Sequence, residues 1–170
     1  MTDRIIVLEL TRIEAAHLAG LVGQFADLLA DGQASADPAI GRLVPDAYAD
    51  DEDAAREFRE VTERELLERR GDDAGTVLRT LAPVLPEGAD AALDDVAARD
   101  VLARDVVEIP LAADDLQAWL RCLAALRLVL AVRLGIRDET DGSEDDPRFG
   151  IYEWLGYRLD GLVHAASPDE

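Results

Sequence analysis

The sequence predicts a mainly α fold: a single-domain helical bundle built around one buried central helix, with a minor two-stranded β ribbon. Three observations predict it. The stretch Leu116–Ile136, LQAWLRCLAALRLVLAVRLGI, is apolar almost all the way round and long enough for five to six helical turns. Two short runs rich in β-branched residues, Arg4–Leu10 and Asp105–Leu111, each lead straight into a major helix. The chain is rich in alanine and only 5% aromatic, which suits closely packed helices better than a large sheet core. At 170 residues it fits one domain spanning the whole chain.

In chain order, Arg4–Leu10 is the first strand. Thr11 and Glu14 then stand at capping-box spacing, so a helix begins at Thr11. Leu18, Leu21, Val22, Phe25, Leu28 and Leu29 form its apolar stripe, with His17, Gln24, Asp27 and Asp31 on the other face. Turn formers over Gly32–Asp37 end it. Pro38–Tyr48 reads as a short helical turn closed by Pro45.

A charged helix is expected over Ala54–Arg70, with Glu60–Arg64 and Glu65–Arg69 as i,i+4 pairs and a narrow stripe of Phe58, Val61 and Leu66. Gly71-Asp72-Asp73 is expected to break it, and a short helix should follow through Leu81 to Pro83. This makes a plain helical hairpin. A helix-turn-helix would need more basic groups than Arg79 on its second helix. Pro86–Arg104, rich in Ala and Asp, reads as a weak helix or a mobile connection.

Asp105–Leu111 is the second strand, and Pro110 marks it as an edge or an end. Glu108 should alternate outward on it. The central helix follows. Its arginines, Arg121, Arg127 and Arg133, are spaced by six and therefore point about 120° apart, leaving no single face for water. They must snorkel or meet carboxylates of neighbouring helices. Arg137–Asp146 is an acidic loop. Asp146-Pro147 then opens a last helix carrying Phe149, Tyr152, Trp154 and a leucine stripe.

The net charge of -20 repels phosphate and anionic lipid. Its first reading is that it keeps the protein soluble, with an acidic docking surface for a basic partner as the alternative. No arginine cluster suits nucleic acid, so no direct nucleic-acid contact is expected. There is no secretory leader and no run of about 20 apolar residues, so a cytoplasmic, non-membrane protein is expected. One cysteine fits a reducing compartment.

The chain has no lysine, which removes Schiff-base, Walker-A and pyridoxal-phosphate chemistry. Its serines lie in loops, outside any nucleophile elbow. His17 reads as solvated, and His164 as a cation suited to a helix C-terminus. In the acidic loop, aligning Gly142 with the glycine of a calcium loop puts arginines where acids are needed. No catalytic, cofactor or metal residue is expected. Cys122 sits among core residues and reads as an inert buried thiol, with a redox role as the alternative.

Four stretches carry a resemblance: LTRIEAAHLAGLVGQFADLL, DPAIGRLVPDAY, VEIPLAADDLQAWLRCLAALRLVLAVRLGI and FGIYEWLGYRLDGLV. In them the chain resembles an actinobacterial family of cytoplasmic proteins carried as a domain of unknown function. One branch bears the name AosR, for actinomycete oxidative-stress regulator. Arg42, Pro45, Tyr48, Trp119, Arg127, Tyr152 and Trp154 are its motif positions here. The resemblance implies a redox-linked transcriptional regulator acting through protein partners such as a sigma factor. The chain departs from an intramolecular thiol switch, having Cys122 as its one cysteine, and Pro86–Arg104 matches poorly. The expected function is an acidic, non-enzymatic regulatory or adaptor protein, with a homodimer possible. The rivals are a direct DNA-binding regulator and a metal-dependent enzyme using the Asp138–Asp146 loop.

Overall fold

In the computed structural model of the protein, the structure describes residues 4–32, 36–44, 50–138, 141 and 145–167. Strand β1 (Ile6–Thr11) runs into α1 (Arg12–Asp31), followed by α2 (Pro38–Leu43) and the long α3 (Glu52–Leu81). A 3₁₀ turn (Ala82–Val84), α4 (Ala89–Asp94) and α5 (Val96–Leu102) lead to β2 (Val106–Leu111), then α6 (Ala113–Leu134) and α7 (Pro147–Ala166). Helices dominate, and the two strands form the small antiparallel ribbon that the sequence predicts.

The ribbon's register follows from its side-chain alternation. Ile6, Leu8 and Leu10 face Leu111, Ile109 and Val107 across it, and these pairs turn toward the core. The other face carries Val7 opposite Pro110, Glu9 opposite Glu108, and Thr11 opposite Val106. Thr11 is the N-cap of α1. Its hydroxyl accepts the Glu14 N–H at 3.3 Å, and the Glu14 carboxylate accepts the Thr11 N–H at 2.8 Å. Arg12 clasps the start of β2, donating through Nε to Asp105 Oδ2 (2.6 Å) and through Nη1 to the Val84 carbonyl (2.6 Å).

α6 is the centre of the bundle and packs on α2, α3 and α7. Trp119, Cys122, Leu123, Ala125 and Leu126 are buried in it. Gly135 ends it in the left-handed region at φ 71°, which a side chain would strain. The three arginines go to three different neighbours. Arg121 forms a two-pronged bond to Asp73 on α3 (2.9 and 2.7 Å), and Arg133 another to Asp37, the N-cap of α2 (3.0 and 2.6 Å). Arg127 instead lies over the ring of Tyr152 on α7, 4.2 Å from its centroid. One expectation changes: Gln117, Arg121 and Leu128 share an exposed seam, so α6 does present a narrow edge to water.

α3 corrects the sequence reading most. It is one continuous helix of 30 residues, not a hairpin broken at Gly71-Asp72-Asp73. The seam that carries it is Leu67, Ala74, Val77 and Leu81, all buried against α1 and α6. That packing outweighs the cost of helical glycine, about 1 kcal/mol each. Phe58 and Val61 do not belong to the seam. They are exposed, and no residue from Glu52 to Leu66 is buried. Arg69 pairs with Glu65 as expected, whereas Arg64 bonds Glu68 rather than Glu60. Pro86–Arg104 contains α4 and α5, the helical one of the two alternatives, with Asp95 capping α5 through Ala98 N–H.

Asp146 caps α7 and Pro147 is its first residue, as the sequence indicates. Among the described residues no helix is long and apolar enough to cross a membrane.

Candidate functional site

Of the family-motif residues, Arg42, Arg127 and Tyr152 share one cavity and Trp154 lines another, both involving α7. The first is a pocket of about 520 Å³ between α2, α6 and α7. Arg42 of α2, Arg127 of α6 and Arg137 just beyond α6 lie on it with Phe149 and Tyr152 of α7. Leu128, Ala131, Val132 and Ile136 give it an apolar wall, and Asp138, Asp141 and Glu153 lie at its lining as well. Tyr152 stacks on Phe149 with centroids 6.1 Å apart. The Arg127 guanidinium is held between the Tyr152 ring and the backbone of Gly156. A Cβ at position 156 would stand 3.0 Å from Arg127 Nε. That Nε is buried without a hydrogen-bond partner among the described residues.

The second place is a groove of about 650 Å³ between α1, α4 and α7, lined by Glu14, His17, Leu21, Gln24, Ile151 and Trp154 among others. Its polar anchor is Glu14. Oε1 of Glu14 accepts from Trp154 Nε1 (2.9 Å) and from Arg158 Nη2 (2.8 Å), while Oε2 accepts from Thr11. Burial pushes the Glu14 carboxyl up. The bonds from Thr11, Arg158 and Trp154 outweigh that and hold it at about 2. Arg158 also donates to the Glu9 carbonyl of β1 (3.2 Å), so it ties the ribbon to α7.

The remaining predicted residues are placed as follows. Trp119 is fully buried away from both cavities, its indole N–H bonded to Thr80 Oγ1 at 2.9 Å. Cys122 is buried, and burial, then the negative charge of Asp73, push its thiol up to about 12. His17 is exposed on the groove, and His164 is exposed in the last turn of α7. Pro45 and Tyr48 lie outside the described residues, as do Glu139, Thr140 and the Gly142–Glu144 part of the acidic loop. Among the described residues no cluster of His, Cys, Asp and Glu could hold a metal ion.

Sequence reasoning missed Glu14 as more than a cap, and it missed Arg158 and Thr80 altogether. Arg158 stands four positions after Trp154 and lies 5.6 Å over its ring, a helical spacing that could have pointed to it. Nothing in the sequence pairs Thr80 with Trp119.

A third feature is a surface rather than a cavity. On the outer face of the ribbon Val7 and Val106 are 52% and 60% exposed, and Ile5, just before β1, is 60% exposed. At its centre the like charges of Glu9 and Glu108 stand directly opposite each other, an arrangement that costs stability.

Fold and surfaces together define an acidic helical domain with a β ribbon, cavities and an exposed apolar face. The chain belongs to the family described as a domain of unknown function (DUF2017), whose model matches residues 1–166. No curated protein and no solved structure matches it.

Proposed function

We propose that this chain is an acidic, non-enzymatic regulatory or adaptor protein that works by binding another protein through the outer face of its ribbon. The observation that carries this is the ribbon face itself: exposed Val7 and Val106, with Ile5 just before β1, around an opposed pair of glutamates. Here apolar area and concentrated negative charge are retained together, at a cost that a basic, apolar partner segment would offset. The net charge of -20 favours the encounter with such a partner and disfavours nucleic acid.

The finer reading, a redox-linked regulator of transcription like the AosR branch, rests on the resemblance of the four motif stretches. Its partner would be a sigma factor or RNA polymerase. A disulfide inside this chain cannot supply the redox link, because Cys122 is its one cysteine.

The test is a nuclease-treated pull-down from the native host, with the wild-type chain and a Val7→Asp/Val106→Asp variant, before and after oxidant. Recovery of a sigma factor or polymerase by the wild type and its loss from the variant, with helical circular dichroism unchanged, is the expected result. Equal recovery by both would remove the ribbon from the reading. A chain that elutes alone would sink the adaptor function.

A further inference from the structure

We propose that the pocket between α2, α6 and α7 binds a small amphipathic anion: one carboxylate or phosphate head on an apolar body. This is independent of the protein-binding surface, which lies on the ribbon. In a chain with 37 acids and 17 arginines carboxylates are plentiful, and at least nine of the arginines pair with one among the described residues. Arg121 and Arg133, the neighbours of Arg127 on α6, have done so. Among the described residues Arg42, Arg127 and Arg137 have no carboxylate at ion-pair distance, yet all three line one pocket. None of the three is taken up by a direct ion pair among the described residues, so their N–H groups remain available to donate charge-assisted bonds to an anion.

Arg127 is the fixed point. Tyr152 covers one side of its guanidinium, and the absence of a side chain at Gly156 lets it lie against α7. Its Nε N–H is shut from solvent and unpaired, so the group is already partly desolvated before any ligand arrives. A guanidinium cannot shed its proton to relieve that cost. A fixed, desolvated cation is what a preorganised anion site requires.

The rest of the lining sets the ligand class. The volume of about 520 Å³ is that of a small-molecule site. Leu128, Val132, Ile136 and Phe149 offer an apolar wall. Asp138, Asp141 and Glu153 balance the three arginines, so a polyanion would be repelled where a single anionic head is not. Asp141 is itself engaged, accepting the Arg137 backbone N–H at 3.1 Å.

The test is calorimetric titration of the full chain with phenyl phosphate, benzoate and benzyl alcohol, the last as a neutral match for the apolar body. Phenyl phosphate, benzoate or both should bind, and which of them binds assigns the head as phosphate or carboxylate. Arg42→Gln/Arg137→Gln should weaken that binding by about tenfold or more, and Arg127→Gln should abolish it. Arg99→Gln, an exposed arginine on α5, should leave it unchanged. No heat from either anion at about 10 mM, where even a weak site with Kd near 1 mM would fill, overturns the proposal. So does equal affinity for benzyl alcohol, or undiminished binding in both pocket variants.

Discussion

The indole N–H of Trp154 donates to Glu14 Oε1 at 2.9 Å, across 140 positions of sequence. With Thr11 and Arg158 on the same carboxylate, one side chain fastens the end of β1, the start of α1 and the middle of α7. The folded carboxyl sits at about 2, below its ordinary value of 4.5. A depressed carboxyl contributes stability that is present above the unfolded value and lost as pH falls through the folded one. The wild type should therefore lose stability between about pH 4.5 and 2. Glu14→Gln should be less stable at neutral pH and should flatten that acid limb. Urea melts at a series of pH values check this, and an unchanged acid slope in the variant would show that another group carries it.

Thr80→Val preserves shape and removes the acceptor of the Trp119 indole N–H. Trp119 is fully buried, so water cannot replace the lost bond. The expected cost is about 1–3 kcal/mol. Tryptophan-monitored urea unfolding measures it, and a variant as stable as wild type would mean the bond contributes nothing.

Cys122 should resist thiol reagents in the folded protein. Its burial and the nearby charge of Asp73 suppress the thiolate, which is the reactive form. Labelling by Ellman's reagent should be slower by at least about a hundredfold in native buffer than in denaturant. Native labelling at the denatured rate would mean that the core around α6 opens readily, and a redox role for Cys122 would then gain support.

Gly71→Ala and Gly75→Ala should each raise stability by about 0.5–1 kcal/mol. Both lie inside continuous α3, and a methyl group at either position would meet nothing within 4 Å. The opposite sign, seen as a lower melting temperature, would mean that α3 bends or breaks there in solution.

Gly156→Ala separates pocket from fold. The new methyl would push on Arg127, whose guanidinium is the far end of a flexible side chain and can move. The gain in helix propensity, about 1 kcal/mol, should roughly offset the crowding, so the melting temperature stays near wild type. The guanidinium should leave its place over Tyr152, and anion binding should fall with it. A crystal structure of the variant with Arg127 still stacked would contradict this.

Local chemistry was the most legible part of the chain. The capping box of Thr11 and Glu14, the Asp146-Pro147 entry and the β-branched runs each act within a few residues, and each lies where expected. The spacing of the α6 arginines also told that they would point three ways, though not which would snorkel and which would meet a neighbour. α3 was misread because its breaker residues were weighed without the seam that buries Ala74 and Val77. That seam gains its energy only from α1 and α6, which sequence periodicity does not contain. Of the candidate site, Arg42, Arg127, Tyr152 and Trp154 were legible as motif positions, but their sorting into a pocket and a groove is set by how α7 packs. Arg137 and Phe149 could not be picked out before that packing was known.

The absence of buried residues from Glu52 to Leu66 gives α3 two lifetimes in one rod. A helical segment of about 15 residues in which no side chain is fully buried and Leu66 alone packs on the core as a partly buried apolar residue draws little on tertiary packing, and so short a helix is marginal in water by itself. Its amides should trade hydrogen for deuterium almost as fast as a fraying peptide. Those around Ala74–Leu81, pinned beneath α1 and α6, should wait for the whole domain to open. A partner that settled on the outer half would stop its clock, so deuterium uptake along this one helix would report occupancy without any label.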